Sequence, residues 1–378
     1  MTTALLQAVP GVRAPVRRSR DVLIARRLER FPTRHRADVA ALAARDSRLA
    51  DLALSFPALL FALAVPRTGF DPEPSVLAVC HGLPLKHVAR LAGVARWLRS
   101  LPPEAFAAPI RSLPDDAGFR LQIANCLPRS PKAAAAWLQA VTEAVTWGDD
   151  DIAIWVAGEI RGNSDQPAVK GLRAICLWAW FSSHPETAAN ALADRPWRKD
   201  MPLKIAAELA SEWVRALELS CAVGPKGLAD IWLPNAEQEG YQFVPLATGN
   251  AIIDEAVAMQ NCLKSYARTI SSGRTRLWSL RKDGARICTI SIGLQRDFPL
   301  IRQIQGPKNA AVNLEVRQVI RRWFFSHDLA SLDPKRIWHG DAPLDCKLWQ
   351  QLMRPYWLAK QRLPRCLPLV PTWEALSV

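Results

Sequence analysis

Closely spaced cysteine pairs are absent from this chain: Cys80, Cys126, Cys176, Cys221, Cys262, Cys288, Cys346 and Cys366 stand singly, with no CxxC among them. Structural zinc sites draw on such pairs, so no metal site is expected and no cofactor is implied. With 378 residues the chain can bury a large core without disulfide staples, which points to reduced thiols in a cytoplasmic compartment. Long apolar runs are also missing. The longest, Leu52 to Val65, spans 14 residues and contains Pro57. A membrane-spanning helix needs roughly 20, so a buried helix pair broken at the proline is expected and no membrane span. P-loop, GxSxG, HExxH and dinucleotide fingerprints are lacking, which removes the commonest nucleotide-binding and hydrolase classes. Tyrosine is scarce at 3 residues, whereas tryptophan reaches 15. Acids are outnumbered, 35 against 49 Lys and Arg, leaving a formal charge of +14 that favours anionic partners.

Arg13, Arg17, Arg18 and Arg20 precede the first acid, Asp21, without the order of a signal peptide, so residues 1–21 are expected to form a solvated basic arm. From 22 to 222 the pattern is helical. Arg36–Asp51, Lys132–Val145 and Leu203–Leu219 place apolar residues three or four apart, and Pro102-Pro103, Pro128, Pro131, Gly162 and Pro185 punctuate the series. Trp137, Trp155, Trp178, Trp180 and Trp213 fall within the apolar stripes and are expected in the core. No fixed-period repeat occurs, so an irregular helical domain is predicted rather than a solenoid.

Glycine and proline crowd residues 223–248, which reads as a linker. A helix is predicted from Ile252 to Ile270, ending before Gly273. Thr275–Arg281 and Arg286–Leu294 flank Asp283-Gly284, a hairpin signal because both central residues of a type I′ turn need positive φ. The expected register sets Leu280 opposite Ile287, Trp278 opposite Thr289 and Leu277 opposite Ile290, with Leu277, Cys288, Ile290 and Ile292 sharing one face. A third strand, Leu300–Gln305, precedes a closing helix from Ala311 to Ser326, capped by Asn309 or Asn313. Residues 328–378, rich in Trp, Pro and Arg, are expected to wrap the domain in short helices.

Within 249–327 the residues Asn261-Cys262-Leu263 with Tyr266, then Ser279-Leu280-Arg281, then Gln303, Gly306 and Asn309 follow one another at a distinctive spacing. The combination, over about residues 245–327, resembles the PcfJ-like family of conjugative plasmids, phages and other bacterial genomes. The resemblance implies a bacterial mobile-element setting and carries no established activity.

The same residues suggest chemistry. A helix would place Cys262 and Tyr266 on one face, with Asn261 and Ser265 on the next. Gln303 and Gln305 point to the same side of their strand. The Gly306–Asn309 turn would deliver Lys308 and backbone N–H groups near a helix start, a seat for phosphate or carboxylate. Between Gln260 and His327 thirteen basic residues face three acids, and Arg317, Arg321 and Arg322 gather on the closing helix. Asn261, Gln303, Gln305, Lys308, Asn309, Arg317, Arg321 and Arg322 are therefore the candidate binding residues. Tyr266 is expected to donate its hydroxyl to Gln305 or Asn309. Cys262 is a candidate nucleophile with His327 as base, and Tyr266 a candidate transesterifying residue, although a buried mid-helix thiol is the plainer expectation for Cys262. Asp254, Glu255, Asp283, Asp297 and Glu315 do not make a two-metal pattern.

The sequence thus predicts an α+β protein: a large helical N-terminal domain followed by a small antiparallel sheet flanked by helices. The expected function is binding of nucleic acid or another polyanion through the basic sheet domain, with a protein partner for the helical part. An enzyme acting on nucleic acid or protein, and a purely structural interaction scaffold, are the alternatives.

Overall fold

The protein is described by a computed structural model covering residues 14–128, 130–161, 171–295, 298–330, 332, 344–362 and 367. It is α+β, with helices dominating the N-terminal part and one antiparallel sheet following them. The chain divides into two compact units, at 172/173, rather than keeping residues 22–222 together. Among the described residues no helix is long and apolar enough to cross a membrane.

The first unit contains α1 (Ala14–Leu28), α2 (Thr33–Ala43), α3 (Ser47–Ser55), α4 (Pro57–Ala64), α5 (Glu73–Cys80), α6 (Leu85–Leu91), α7 (Ala117–Ala124), α8 (Pro131–Trp147) and α9 (Asp150–Glu159). The expected basic arm is therefore helical from Ala14, and residues 1–13, with Arg13, lie outside the described residues. The helix read over Arg36–Asp51 is two: α2 ends at Ala43, and Asp46 opens α3 by accepting the Arg48 N–H. Pro57 splits the long apolar run as expected, because its fixed φ and missing N–H suit the first turn of α4. Phe31, Phe61 and Phe106 stack at the centre of this core, while Trp137 is buried with its indole N–H on the Ala157 carbonyl at 3.0 Å. Gly162 lies outside the described residues.

The second unit begins with α10 (Leu172–Ser182) and α11 (Leu203–Val223), whose Trp178, Trp180 and Trp213 are buried as predicted. Its sheet has five strands in the order β1 (Ala236–Gln238), β2 (Tyr241–Pro245), β3 (Thr275–Lys282), β4 (Ala285–Gln295), β5 (Phe298–Gln305). Two of them lie in the stretch read as a linker. Glu239 and Gly240 both take positive φ, 55° and 76°, so the glycine taken as a break is the tip of a tight hairpin.

Asp283 and Gly284 make the predicted turn, with φ of 49° and 79°. The register nevertheless shifts between Leu280 and Arg281, so Leu280 pairs with Cys288, Ser279 with Thr289, and Trp278 with Ile290. The irregularity leaves one extra residue on β4, and each strand residue beyond it meets a partner one place from the predicted one. Leu277 consequently faces away from Cys288, Ile290 and Ile292. Those three pack with Phe243, Trp278 and Leu280 against Val316, Val319, Ile320, Trp323 and Phe324 of α14 (Leu314–Phe325). Leu277 instead joins Leu219, Ile252, Ala256, Leu263 and Ile270 on the opposite face.

The single helix predicted over Ile252–Ile270 is three pieces: α12 (Gly249–Met259), a 3₁₀ turn over Leu263–Tyr266, and α13 (Ala267–Ser271). Gln260 enters the left-handed region at φ 49°, and Asn261 turns its own carboxamide oxygen onto the Leu263 N–H at 3.4 Å. Cys262 thus heads a new turn and is exposed, contrary to the mid-helix burial expected for it. At the far end Asn313, not Asn309, caps α14 by accepting the Val316 N–H at 2.9 Å. Beyond it α15 (Cys346–Lys360) is the one described helix of residues 328–378, most of which lie outside the described residues.

Candidate functional site

Alternation along β3 and β4 sends Ser279, Thr289 and Ser291 to the sheet face opposite α14, where all three are buried. Three hydroxyls in that position need partners; the α12 side supplies those of Thr289 and Ser291, and Arg281 of β3 that of Ser279. The Thr289 hydroxyl donates to Glu255 Oε1 at 3.3 Å and accepts the Asn261 amide at 3.2 Å. Glu255 has no exposure to water, and the Arg286 guanidinium donates to its Oε2 at 2.8 Å. Tyr266, presented by the 3₁₀ turn, donates its hydroxyl to Gln303 Oε1 at 2.5 Å. Its phenol is pushed above the ordinary range, chiefly by burial and then by neighbouring Cys262, with a hydrogen bond to Ser291 opposing. The Arg281 Nε reaches Ser279 at 3.2 Å.

Asn261, Tyr266, Ser279, Arg281 and Gln303 therefore converge on one polar layer, with Gln305 opposite Thr289 in the same row. Tyr266 finds Gln303 rather than the Gln305 or Asn309 expected for it. Glu255, Thr289 and Ser291 were absent from the candidates, yet they are the layer's interior. The available signal was polar alternation: once Cys288, Ile290 and Ile292 are placed on an apolar face, Thr289 and Ser291 must lie on the other.

Gly306 is buried where a Cβ would stand 3.3 Å from the Ala310 carbonyl oxygen, a tight approach that a side chain could enter only if that backbone shifted by a few tenths of an ångström. The 3₁₀ turn that follows, Pro307–Asn309, carries Lys308 and Asn309 at φ 56° and 62°. Lys308 is exposed and stands ahead of Asn313, whose side chain already serves the first turn of α14, so the predicted lysine at an open helix start is not formed.

Asn309 lines, with Gln260, Asn261, Cys262 and Lys264, a cleft of about 1080 Å³ whose other wall is α11. Its charge is mixed: Arg195, Lys204 and Arg215 alternate with Asp194, Glu208 and Glu212. Lys264 is sealed beneath it, its side chain 5% exposed and its ammonium on Asp194 at 3.0 Å. The thiol and histidine proposed as a pair do not meet. Cys262 opens to this cleft, whereas His327 follows α14 on the opposite face of the sheet, edge-on to Trp323 with its Nε2 unpartnered.

The basic excess also needs correction. Lys264, Arg268, Arg276, Arg286 and Arg322 pair with Asp194, Glu218, Asp230, Glu255 and Glu239, acids that lie before residue 260 and so escaped the local count. Arg302 rests on the Leu294 carbonyl, and Arg296 and Asp297 lie outside the described residues. Among the described residues of this stretch Arg274, Lys282, Lys308, Arg317 and Arg321 also remain exposed and outside any ion pair, Lys282 lying over the Tyr241 ring. Of the three arginines predicted on the closing helix, Arg317 and Arg321 keep an open charge, one helical turn apart, and Arg322 is held by Glu239.

No curated protein and no solved structure matches the chain. A family match does exist, and it begins upstream of the motif, taking in β1 and β2 along with the polar layer. Residues 231–320 match the family described as PcfJ-like protein, so the resemblance carried by Asn261, Tyr266, Ser279-Leu280-Arg281 and Gln303 holds across the sheet and into α14.

Proposed function

We propose that the sheet unit binds nucleic acid through Arg317, Arg321 and Lys308, in the cytoplasm of a bacterial host and in the mobile-element setting that the family suggests. The supporting observation is the pairing pattern: carboxylates hold Lys264, Arg286 and Arg322, while Arg317, Arg321 and Lys308 stay exposed without a carboxylate partner. Free guanidinium groups on a helix face suit phosphate oxygens, to which they donate in a fork. The polar layer then acts as a brace for the strands and for α12, and a protein partner engages the helical unit.

Three phosphate contacts carry a definite salt dependence. Raising salt fourfold should weaken duplex DNA binding roughly 40-fold at a slope of about −0.9 per contact. Fluorescence anisotropy with labelled oligonucleotides reads this directly; binding that is absent, or indifferent to salt, overturns the proposal. The catalytic reading has one favouring observation, the exposure of Cys262 at the cleft. Alkylation of Cys262 no faster than that of a free thiol removes it.

A further inference from the structure

The outward face of α14 holds more than charge. At 3.6 residues per turn Leu314, Arg317, Gln318, Arg321 and Phe325 fall within an arc of about 100°, opposite the buried Val316, Val319, Ile320 and Trp323. Leu314 is 69% exposed and Phe325 70%, among the most exposed large apolar side chains described. Each sits a turn from an arginine that carries no ion pair, Leu314 beside Arg317 and Phe325 beside Arg321. The Phe325 ring touches the core only edge-on, through Phe324 at 5.4 Å, leaves most of its surface in water, and lies beside cations left unneutralised.

We infer that this stripe is a platform for single-stranded nucleic acid, with the Phe325 ring stacking on an unpaired base and Arg317 and Arg321 holding the flanking phosphates. This deepens the nucleic-acid reading and rests on it. A duplex hides its base faces within its own stack and offers α14 only phosphates; an unpaired strand offers both π-faces and phosphates, matching a stripe in which two successive arginines lead to one exposed ring. Leu314 lies at the other end, where its side chain would cover a sugar. Arg322, bound to Glu239 at 2.6 Å, flanks the stripe without entering it.

The test compares a mixed-sequence oligodeoxynucleotide, alone and annealed to its complement, against the full chain at fixed salt. The expected result is tighter binding of the single strand. Phe325→Ala should weaken single-strand binding about tenfold and change duplex binding less than twofold. Phe325→Leu, which keeps apolar area and loses the ring, should behave as Phe325→Ala, and Phe325→Trp should retain the preference. Arg317→Glu with Arg321→Glu should weaken both substrates. Because these side chains are exposed, an unchanged melting temperature separates lost binding from lost folding. Equal affinity for the two substrates with no effect of Phe325→Ala overturns the platform and leaves the nucleic-acid reading standing. No salt-dependent binding of either substrate overturns both. Self-association of the chain that Phe325→Ala abolishes, with single-strand affinity unaltered, overturns the platform by assigning the stripe to a second copy.

Discussion

The two faces of the sheet are built from the same strands yet obey different physics. Toward α14, Trp278, Leu280, Cys288, Ile290 and Ile292 meet Trp323 and Phe324 in a dry contact, with Phe243 and Trp323 stacked at 4.2 Å. Toward α12, Ser279, Thr289 and Ser291 are just as buried and make hydrogen bonds instead. Apolar packing is tolerant of sequence as long as volume is kept, whereas a buried polar layer accepts only residues that complete it. That contrast divides the residues that carry the resemblance: Asn261, Tyr266, Ser279 and Gln303 have hydrogen-bonding partners on the polar face, whereas Leu280 packs on the α14 side.

The largest expected effect lies on the dry face. Trp323→Ala should cost about 4 kcal/mol, read as a fall in melting temperature, because the cavity sits between Phe243 and Trp278. A loss near zero would break the view of this face as the main store of stability. Next comes Arg286→Ala, which strands the Glu255 carboxylate without its cation and should cost about 2 kcal/mol, with Arg286 part-exposed. Adding Glu255→Gln should recover most of the loss; no recovery would mean that charge pairing is not what holds the polar face. Tyr266→Phe should remove about 1 kcal/mol through the Gln303 bond. It should also delete a phenol that ionises above the ordinary range in alkaline absorbance titration, since burial raises it.

The smallest effect is a pH dependence on the dry side. Burial holds the His327 imidazole below its ordinary value of 6.5, so the unfolded chain takes up its proton first. Stability should therefore fall as pH drops below about 6.5, and level off once the folded state is protonated too. The drop should flatten in His327→Gln. An unchanged profile in that variant would assign the acid sensitivity to other groups.

Much of this was legible. Helix–proline punctuation gave the broken apolar run at Pro57, buried tryptophans followed from periodicity, and Asp283-Gly284 announced its hairpin. What stayed hidden was local geometry with weak sequence signals. The β4 irregularity beside Leu280 moved every facing pair beyond it by one, and nothing in Ile287-Cys288 marks it. Gln260 ends α12 in a left-handed conformation that glycine usually supplies, so periodicity ran through it and buried Cys262 on paper. The candidate binding residues divided for a different reason. Pairing across long sequence separations, as of Arg322 with Glu239, cannot be read from a local charge count.

The most direct test is the slope of log affinity for single-stranded DNA against log salt, measured for the wild-type chain and for Arg317→Glu with Arg321→Glu. The account predicts a steep slope in the wild type that becomes shallower by about 1.4 in the variant, two contacts at about 0.7 each. Identical slopes, or no measurable binding in the wild type at low salt, would contradict it.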